Sequence, residues 1–428
     1  MEKSLNFKIE IRLGIAIFFA SVLQILSTPA LALSWLDIKS MAQKSAPDIK
    51  QAETERQFAN IQLEAAKSLF LPKIYSQFSA NRAVRTDSKT ASNEYSGSIS
   101  VEQSLFSSGR DIAEFSSAKF AKNASNLKVK LNSAALRAKL ARAWSDCLYL
   151  NNLEKITQRT IARREGNHQI VKLRYKAGRE SKGSVLKTEA ATLESQVSSL
   201  EASSQARLAR GDLAVLIGQE VSMSEPLSGQ LYDKKILDAE LSTPRKHDLN
   251  LEVEATTAKL KAAEHALISA KRQYLPEVTL SGIARKSATP DLPLTDPVYS
   301  ASVAVRIPIY DASNSDEVRS AAVKASQVEI EVSKARASVD QKLIVVKSSL
   351  EFAQKHLEAL QKGLEASKLQ AEVSRQRYTL GLLSFQDWDS YESERITYEM
   401  NVLKAERAAA YALADFYEAH GVTLEEGP

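Results

Sequence analysis

Tyr95-Ser96-Gly97-Ser98-Ile99-Ser100-Val101-Glu102-Gln103-Ser104-Leu105-Phe106 alternates, with serine or glutamate at every even position through Ser104. Tyr299-Ser300-Ala301-Ser302-Val303-Ala304-Val305-Arg306-Ile307-Pro308-Ile309-Tyr310 repeats the plan 204 residues later. Each is preceded by another alternating run. Ile74, Ser76, Phe78 and Ala80 oppose Lys73, Tyr75, Gln77, Ser79 and Asn81; Val278, Leu280, Gly282 and Ala284 oppose Glu277, Thr279, Ser281 and Arg285. A period of two is the pattern of a strand with two unlike faces. Each run is about 10 residues, the length of a tilted strand crossing a bilayer.

The duplication extends beyond the strands. Lys67-Ser68-Leu69-Phe70-Leu71-Pro72-Lys73-Ile74 returns as Lys271-Arg272-Gln273-Tyr274-Leu275-Pro276-Glu277-Val278, and Arg174-Tyr175-Lys176-Ala177-Gly178 as Arg377-Tyr378-Thr379-Leu380-Gly381. Gly218 answers Gly421. Such a repeat decides architecture before local propensity does. Proline is missing between Pro72 and Pro226 and between Pro308 and Pro428, where helix formers dominate. Arg110 to Lys176 then reads as one helix, about 100 Å long at 1.5 Å per residue. A second long helix is expected over about 314–379. Leu343, Val346, Leu350, Ala353, Leu357, Leu360, Leu364, Ser367 and Ala371 form a heptad seam on it, which demands a packing partner. Glycines 178 and 381 end the long helices, and returning helices are expected over 184–217 and 385–420. Shorter helices, Trp35 to Ser68 and Lys246 to Gln273, precede the strand pairs. Gly166 and Gly363 interrupt the long helices without matching in register.

The resulting organisation is a signal peptide over 1–32, a first repeat over 33–218, a connector over 219–245 and a second repeat over 246–428. The first repeat carries strands near 71–82 and 95–106, the second near 275–285 and 299–309. Lys3, Lys8 and Arg12, the apolar Leu13 to Leu26 and the small-residue site Ala30-Leu31-Ala32 make the secretory signal. No cysteine stands at that junction to take a lipid. Cys147 is the sole cysteine and reads as a small buried residue rather than a reactive thiol. The loops 82–94 and 285–298 are short and polar.

The charge balance, 57 basic against 52 acidic residues, is spread along the chain and argues against a nucleic-acid surface. His168, His247, His265, His356 and His420 are scattered, and no metal-binding, phosphate-binding or nucleophile-elbow motif is present. No cofactor, metal site or enzyme activity is therefore expected. Serine-rich polar faces suit a water-filled lumen. Four strands cannot close a barrel, and an open edge in lipid leaves unpaired backbone groups costing several kcal/mol each. Three copies would give twelve strands; two would give eight, whose interior side chains fill. A periplasmic coiled-coil adaptor or scaffold shares the long helices and the signal but has no use for bilayer-length strands.

Together, the duplicated strand–helix plan, the Leu-Pro entries at 71–72 and 275–276, the Ser104-Leu105-Phe106-Ser107-Ser108-Gly109 exit and the Arg-Tyr-x-x-Gly turns resemble the TolC-like outer-membrane efflux family, or outer membrane factors. The resemblance implies an α+β membrane protein: a homotrimer whose 12-stranded β-barrel, four strands per chain, is continued by a long antiparallel α-helical barrel in the periplasm. It implies passive export of solutes or proteins, as the exit duct of a tripartite efflux or type I secretion system, docked to a periplasmic adaptor and an inner-membrane pump. It also implies site residues. Gly178, Arg179, Leu380, Gly381, Leu382 and Ser384 would contact the adaptor. Asp387, with Asp389, Ser390 and the first-repeat counterpart Ser184, would constrict the entrance, where three like charges repel one another and attract cations. Tyr175 and Tyr378 would latch it.

Overall fold

The structure, a computed structural model, describes residues 32–84, 91–220, 225–231, 235–236, 250–288 and 296–426. The signal sequence, most of the connector and much of both strand loops lie outside these residues. In chain order the elements are β1 (Leu33–Ser34), α1 (Trp35–Ser45), α2 (Pro47–Ser68), β2 (Lys73–Val84), β3 (Ala91–Phe106), α3 (Arg110–Lys176) and α4 (Lys182–Ile217). Then come β4 (Leu227–Ser228), α5 (Leu251–Arg272), β5 (Glu277–Ala288), β6 (Val298–Arg306), α6 (Ala312–Thr379) and α7 (Phe385–Ala419). The chain divides into two compact units, each drawing on both repeats: 1–47, 137–243 and 348–415 in the first, 48–136, 244–347 and 416–428 in the second.

The second unit holds an antiparallel sheet in the order β2-β3-β5-β6. Register carries the sequence alternation across all four strands. Phe78 opposes Gly97, Ile99 opposes Ala284, and Ala284 opposes Tyr299, so the apolar residues share one face. On the other face Ser79 bonds Ser96 and Ser281 bonds Ser302, each at 2.8 Å. The apolar face is bare: Phe78 is 85% and Tyr299 76% exposed. Within the chain β2 and β6 are paired along one edge only. Leu105 was expected on the apolar face. A bulge after Ser104 instead sets Phe106 opposite Val278, because one extra residue flips the side-chain parity.

Beyond the sheet, the exit of the first strand pair is clasped to the entry of the second. Ser108 and Gly109 turn the chain with φ of 53° and 77°. Ser108 Oγ donates to Pro276 O at 2.6 Å, and Arg272 Nη1 donates to Gly109 O at 2.6 Å. After α7, Gly421 takes φ 69° and the chain turns back, burying Val422 and Leu424, with Leu424 N donating to Ser133 Oγ at 3.1 Å.

The segment 35–68 is two helices, α1 ending in the first unit and α2 running on in the second, because Pro47 excludes αR geometry at Ala46, whose ψ is 127°. Leu33 and Ser34 pair in parallel with Leu227 and Ser228. Ser34 caps α1 through a reciprocal box with Asp37, with Ser34 N donating to Asp37 Oδ2 at 2.9 Å. Ser45 Oγ donates to Ile217 O at 2.8 Å, locking α1 to the end of α4. Gly218 follows with φ 74°; a Cβ there would meet Ser45 O at 2.7 Å and Pro47 Cδ at 3.0 Å. Between α3 and α7, Arg142 pairs with Asp415, and Asp146 accepts from Arg407 at 3.3 Å and from Tyr411 OH at 2.6 Å. Cys147 is buried, and desolvation pushes its thiol up to about 11, away from reactive thiolate chemistry. Gly363 finds its reason here: a Cβ would overlap the Tyr398 ring of α7. Gly166 faces open space. Along α6, Leu343, Val346, Leu350, Ala353, Leu357, Ser367 and Ala371 are buried, while Leu360 and Leu364 are half-buried.

Candidate functional site: the paired helix turns

Both turns are built identically in the backbone. Gly178 N donates to Tyr175 O and Arg179 N to Arg174 O, each at 2.9 Å; Gly381 N donates to Tyr378 O and Leu382 N to Arg377 O, again at 2.9 Å. This is the paired 6→1 and 5→2 pattern that ends a helix on a left-handed residue, and Gly178 and Gly381 supply it with φ of 72° and 80°. The returning helices start on serine caps. Ser184 N donates to Ser181 Oγ at 3.1 Å and Asp387 N to Ser384 Oγ at 3.1 Å.

Side chains then set the two turns apart. Tyr378, Trp388 and Val171 form a buried cluster flanked by Ile170, Val185, Leu383 and Phe385. Tyr378 and Trp388 stack with centroids 4.3 Å apart at 11°, and Phe385 meets Trp388 edge-on at 6.2 Å. Arg174 binds this cluster from α3. Its guanidinium lies 4.6 Å over the Tyr378 ring, and Nη1 donates to Tyr378 O at 2.7 Å. That bond satisfies an orphan carbonyl at a helix C-terminus with a cation, the favoured sign there. The Tyr378 hydroxyl and Trp388 Nε1 are buried with no hydrogen-bond partner among the described residues. Desolvation, with the Glu180 carboxylate adding to it, pushes the Tyr378 phenol up to about 12.

The expected entrance residues separate. Asp387 is exposed at the third position of α7, where its carboxylate accepts the Ser384 hydroxyl at 2.6 Å. Asp389 is held by two cations, Arg164 Nη1 at 3.0 Å and Lys187 Nζ at 2.8 Å. Ser390 is exposed and Ser184 half-buried. Of the turn residues, Arg179, Leu380 and Leu382 are exposed, the leucines by 74% and 73%. Of the two tyrosines, Tyr378 is 1% exposed and locked inside its own chain, while Tyr175 is 42% exposed. Sequence reasoning missed Trp388 and the clasping Arg174, although Arg174 stands in the quoted Arg-Tyr-x-x-Gly motif. No group of three or more His, Cys, Asp or Glu at metal-binding spacing exists among the described residues. No described helix is long and apolar enough to cross a membrane.

Comparison with known proteins bears on this arrangement. Residues 38–219 match the family model described as outer membrane efflux protein. The search of curated proteins gives no match. Among solved structures, CusC superposes with a TM-score of 0.79 at 14% identity, covering 90% of this chain and 91% of that one. The Vibrio cholerae outer membrane protein VceC gives 0.78 at 16% identity, with 90% and 95% covered. The Neisseria gonorrhoeae outer membrane channel MtrE, in its open state, gives 0.78 at 20% identity, with 92% and 93% covered. The fold class read from the sequence is thus the class of these structures. The chain is thus similar to the outer membrane efflux proteins in sequence over residues 38–219, and shares the fold of these outer-membrane proteins over about nine-tenths of its length.

Proposed function

We propose that this protein is the outer-membrane exit duct of a tripartite efflux or type I secretion system. Three copies pool their strands into a 12-stranded barrel in the outer membrane, and their helices form the periplasmic passage. Export is passive, with a periplasmic adaptor and an inner-membrane pump supplying selection and energy, and no cofactor is needed. One observation carries the reading: a four-stranded sheet with one bare apolar face, one serine-lined face and two edges each paired on one side only. In water that face would be an aggregation hazard. In lipid the open edges would be prohibitive unless neighbouring copies close them. The sheet likewise argues against a periplasmic adaptor or scaffold, which has no bilayer to meet.

The test is fractionation followed by reconstitution. The protein should require detergent for extraction, migrate as a trimer, and open water-filled conductances in planar bilayers. A stable, water-soluble single subunit without conductance would overturn the proposal.

A further inference from the structure

Resting on the duct reading, we propose that the turn end recognises an acidic partner: a helical hairpin of the adaptor presenting carboxylates to a basic collar around two exposed leucines. Between Lys172 and Lys187 stand six basic residues, Lys172, Arg174, Lys176, Arg179, Lys182 and Lys187, against one acid, Glu180. The second turn adds Arg375 and Arg377, both exposed. Lys172, Lys176, Arg179 and Lys182 are exposed as well. Among the described residues, none of these six exposed cations forms an ion pair.

Of the neighbouring acids Asp389 alone is held by cations; Glu372 and Asp387 stay exposed with neutral partners, so with Glu180 the eight basic residues of the two turns face four acids. Asp389 is bonded to Arg164 and Lys187, and Asp387 accepts from Ser384 at the helix cap. Glu180 is half-buried beside Tyr378 and counts against only one cation of the collar. Arg174 fastens the two turns together through Tyr378 O, so their side chains present one surface. On it, Leu380 and Leu382 supply an exposed apolar centre and the cations a polar rim, the arrangement of a transient protein interface. Exposed like charges within a Debye length of about 8 Å repel, and an acidic face relieves that repulsion while setting on-rate and register. In a ring of copies the collar repeats, which multiplies the effect.

The experiment uses the full chain in detergent and two synthetic helical hairpins of one sequence, one with glutamates along its docking face and one with lysines there. The glutamate hairpin should bind at least about tenfold tighter than the lysine one, with the gap closing as salt rises. Lys172→Glu, Lys176→Glu and Lys182→Glu together should reverse the order while the trimer stays intact. Equal affinities, or a preference for the lysine hairpin, would overturn the inference. So would phosphatidylglycerol vesicles displacing the glutamate hairpin at equal charge, since the collar would then be a lipid surface. Wild-type bilayer conductance separates the two readings: without it the duct fails, whereas conductance with no charge preference removes only the acidic partner.

Discussion

Replacing Trp388 by alanine should loosen the second turn without unfolding the chain. The indole is 1% exposed, stacked on Tyr378 at 4.3 Å and edge-on to Phe385 at 6.2 Å. Truncating such a side chain costs about 3–5 kcal/mol, most of it lost burial and the cavity left behind. At about 1.4 kcal/mol per decade, local opening becomes roughly two to four orders of magnitude more frequent. Hydrogen exchange reads this directly, as faster exchange of the amides of 376–388 with those of α5 unchanged. Trp388→Phe is the matched control. Because Nε1 has no hydrogen-bond partner among the described residues, it removes no such bond and keeps a ring over Tyr378, so it should cost only about 1 kcal/mol. Alkali probes the same cluster from Tyr378. Its phenol is raised in the fold to about 12, so the neutral form is the stabilised one. That contribution is complete below about pH 10, the unfolded value, and is lost as pH rises through about 12. Tyr378→Phe should therefore hold its protection where wild type loses it. Wild-type exchange rates in Trp388→Ala would refute the claim that this cluster holds the turn.

Gly381→Val should abolish export while trimers survive, since a β-branched residue is strained at φ 80°; normal export would remove the adaptor contact. Asp387→Ala should lower cation preference in planar-bilayer recordings, and unchanged conductance and selectivity would take Asp387 out of the constriction. Gly218→Ala meets both φ 74° and the Ser45 carbonyl at 2.7 Å, so the join of α1 to α4 should weaken by about 2–3 kcal/mol, read as early proteolysis near residues 40–50.

What the sequence reveals here is whatever is periodic. The serine alternation placed four strands on the right faces, and the proline-free stretches placed α3 at its observed bounds, because periodicity reports burial directly. Leu105 failed because a bulge is a local count error that alternation cannot show. The break at Pro47 was legible and overlooked: proline fixes the residue before it. The β1–β4 pair was not legible, being two residues long and joining partners 194 positions apart. At the site, glycine and serine positions were readable because helix ends have fixed chemistry. Partnerships were not. That Asp389 spends its charge on Arg164 and Lys187, or that Gly363 makes room for Tyr398, depends on which helices lie side by side.

The duplication makes the asymmetry of the two turns informative. Arg174 and Tyr175 of the first copy correspond to Arg377 and Tyr378 of the second. Within one chain, one of the two reciprocal clasps is made: Arg174 covers Tyr378. The pieces of the other, Arg377 and Tyr175, are both exposed, although their backbone turns carry the same bonds. Repeats alternating around a closed ring would give every turn two neighbours, one from its own chain and one from the next. The next copy's Tyr175 is then the group that Arg377 can cover, just as Arg174 covers Tyr378. A cysteine pair at Arg377 and Tyr175 should therefore cross-link between chains and yield trimers on denaturing gels. Monomers closed by an internal disulfide would refute it, and with it the idea that the ring is built from alternating equivalent joints.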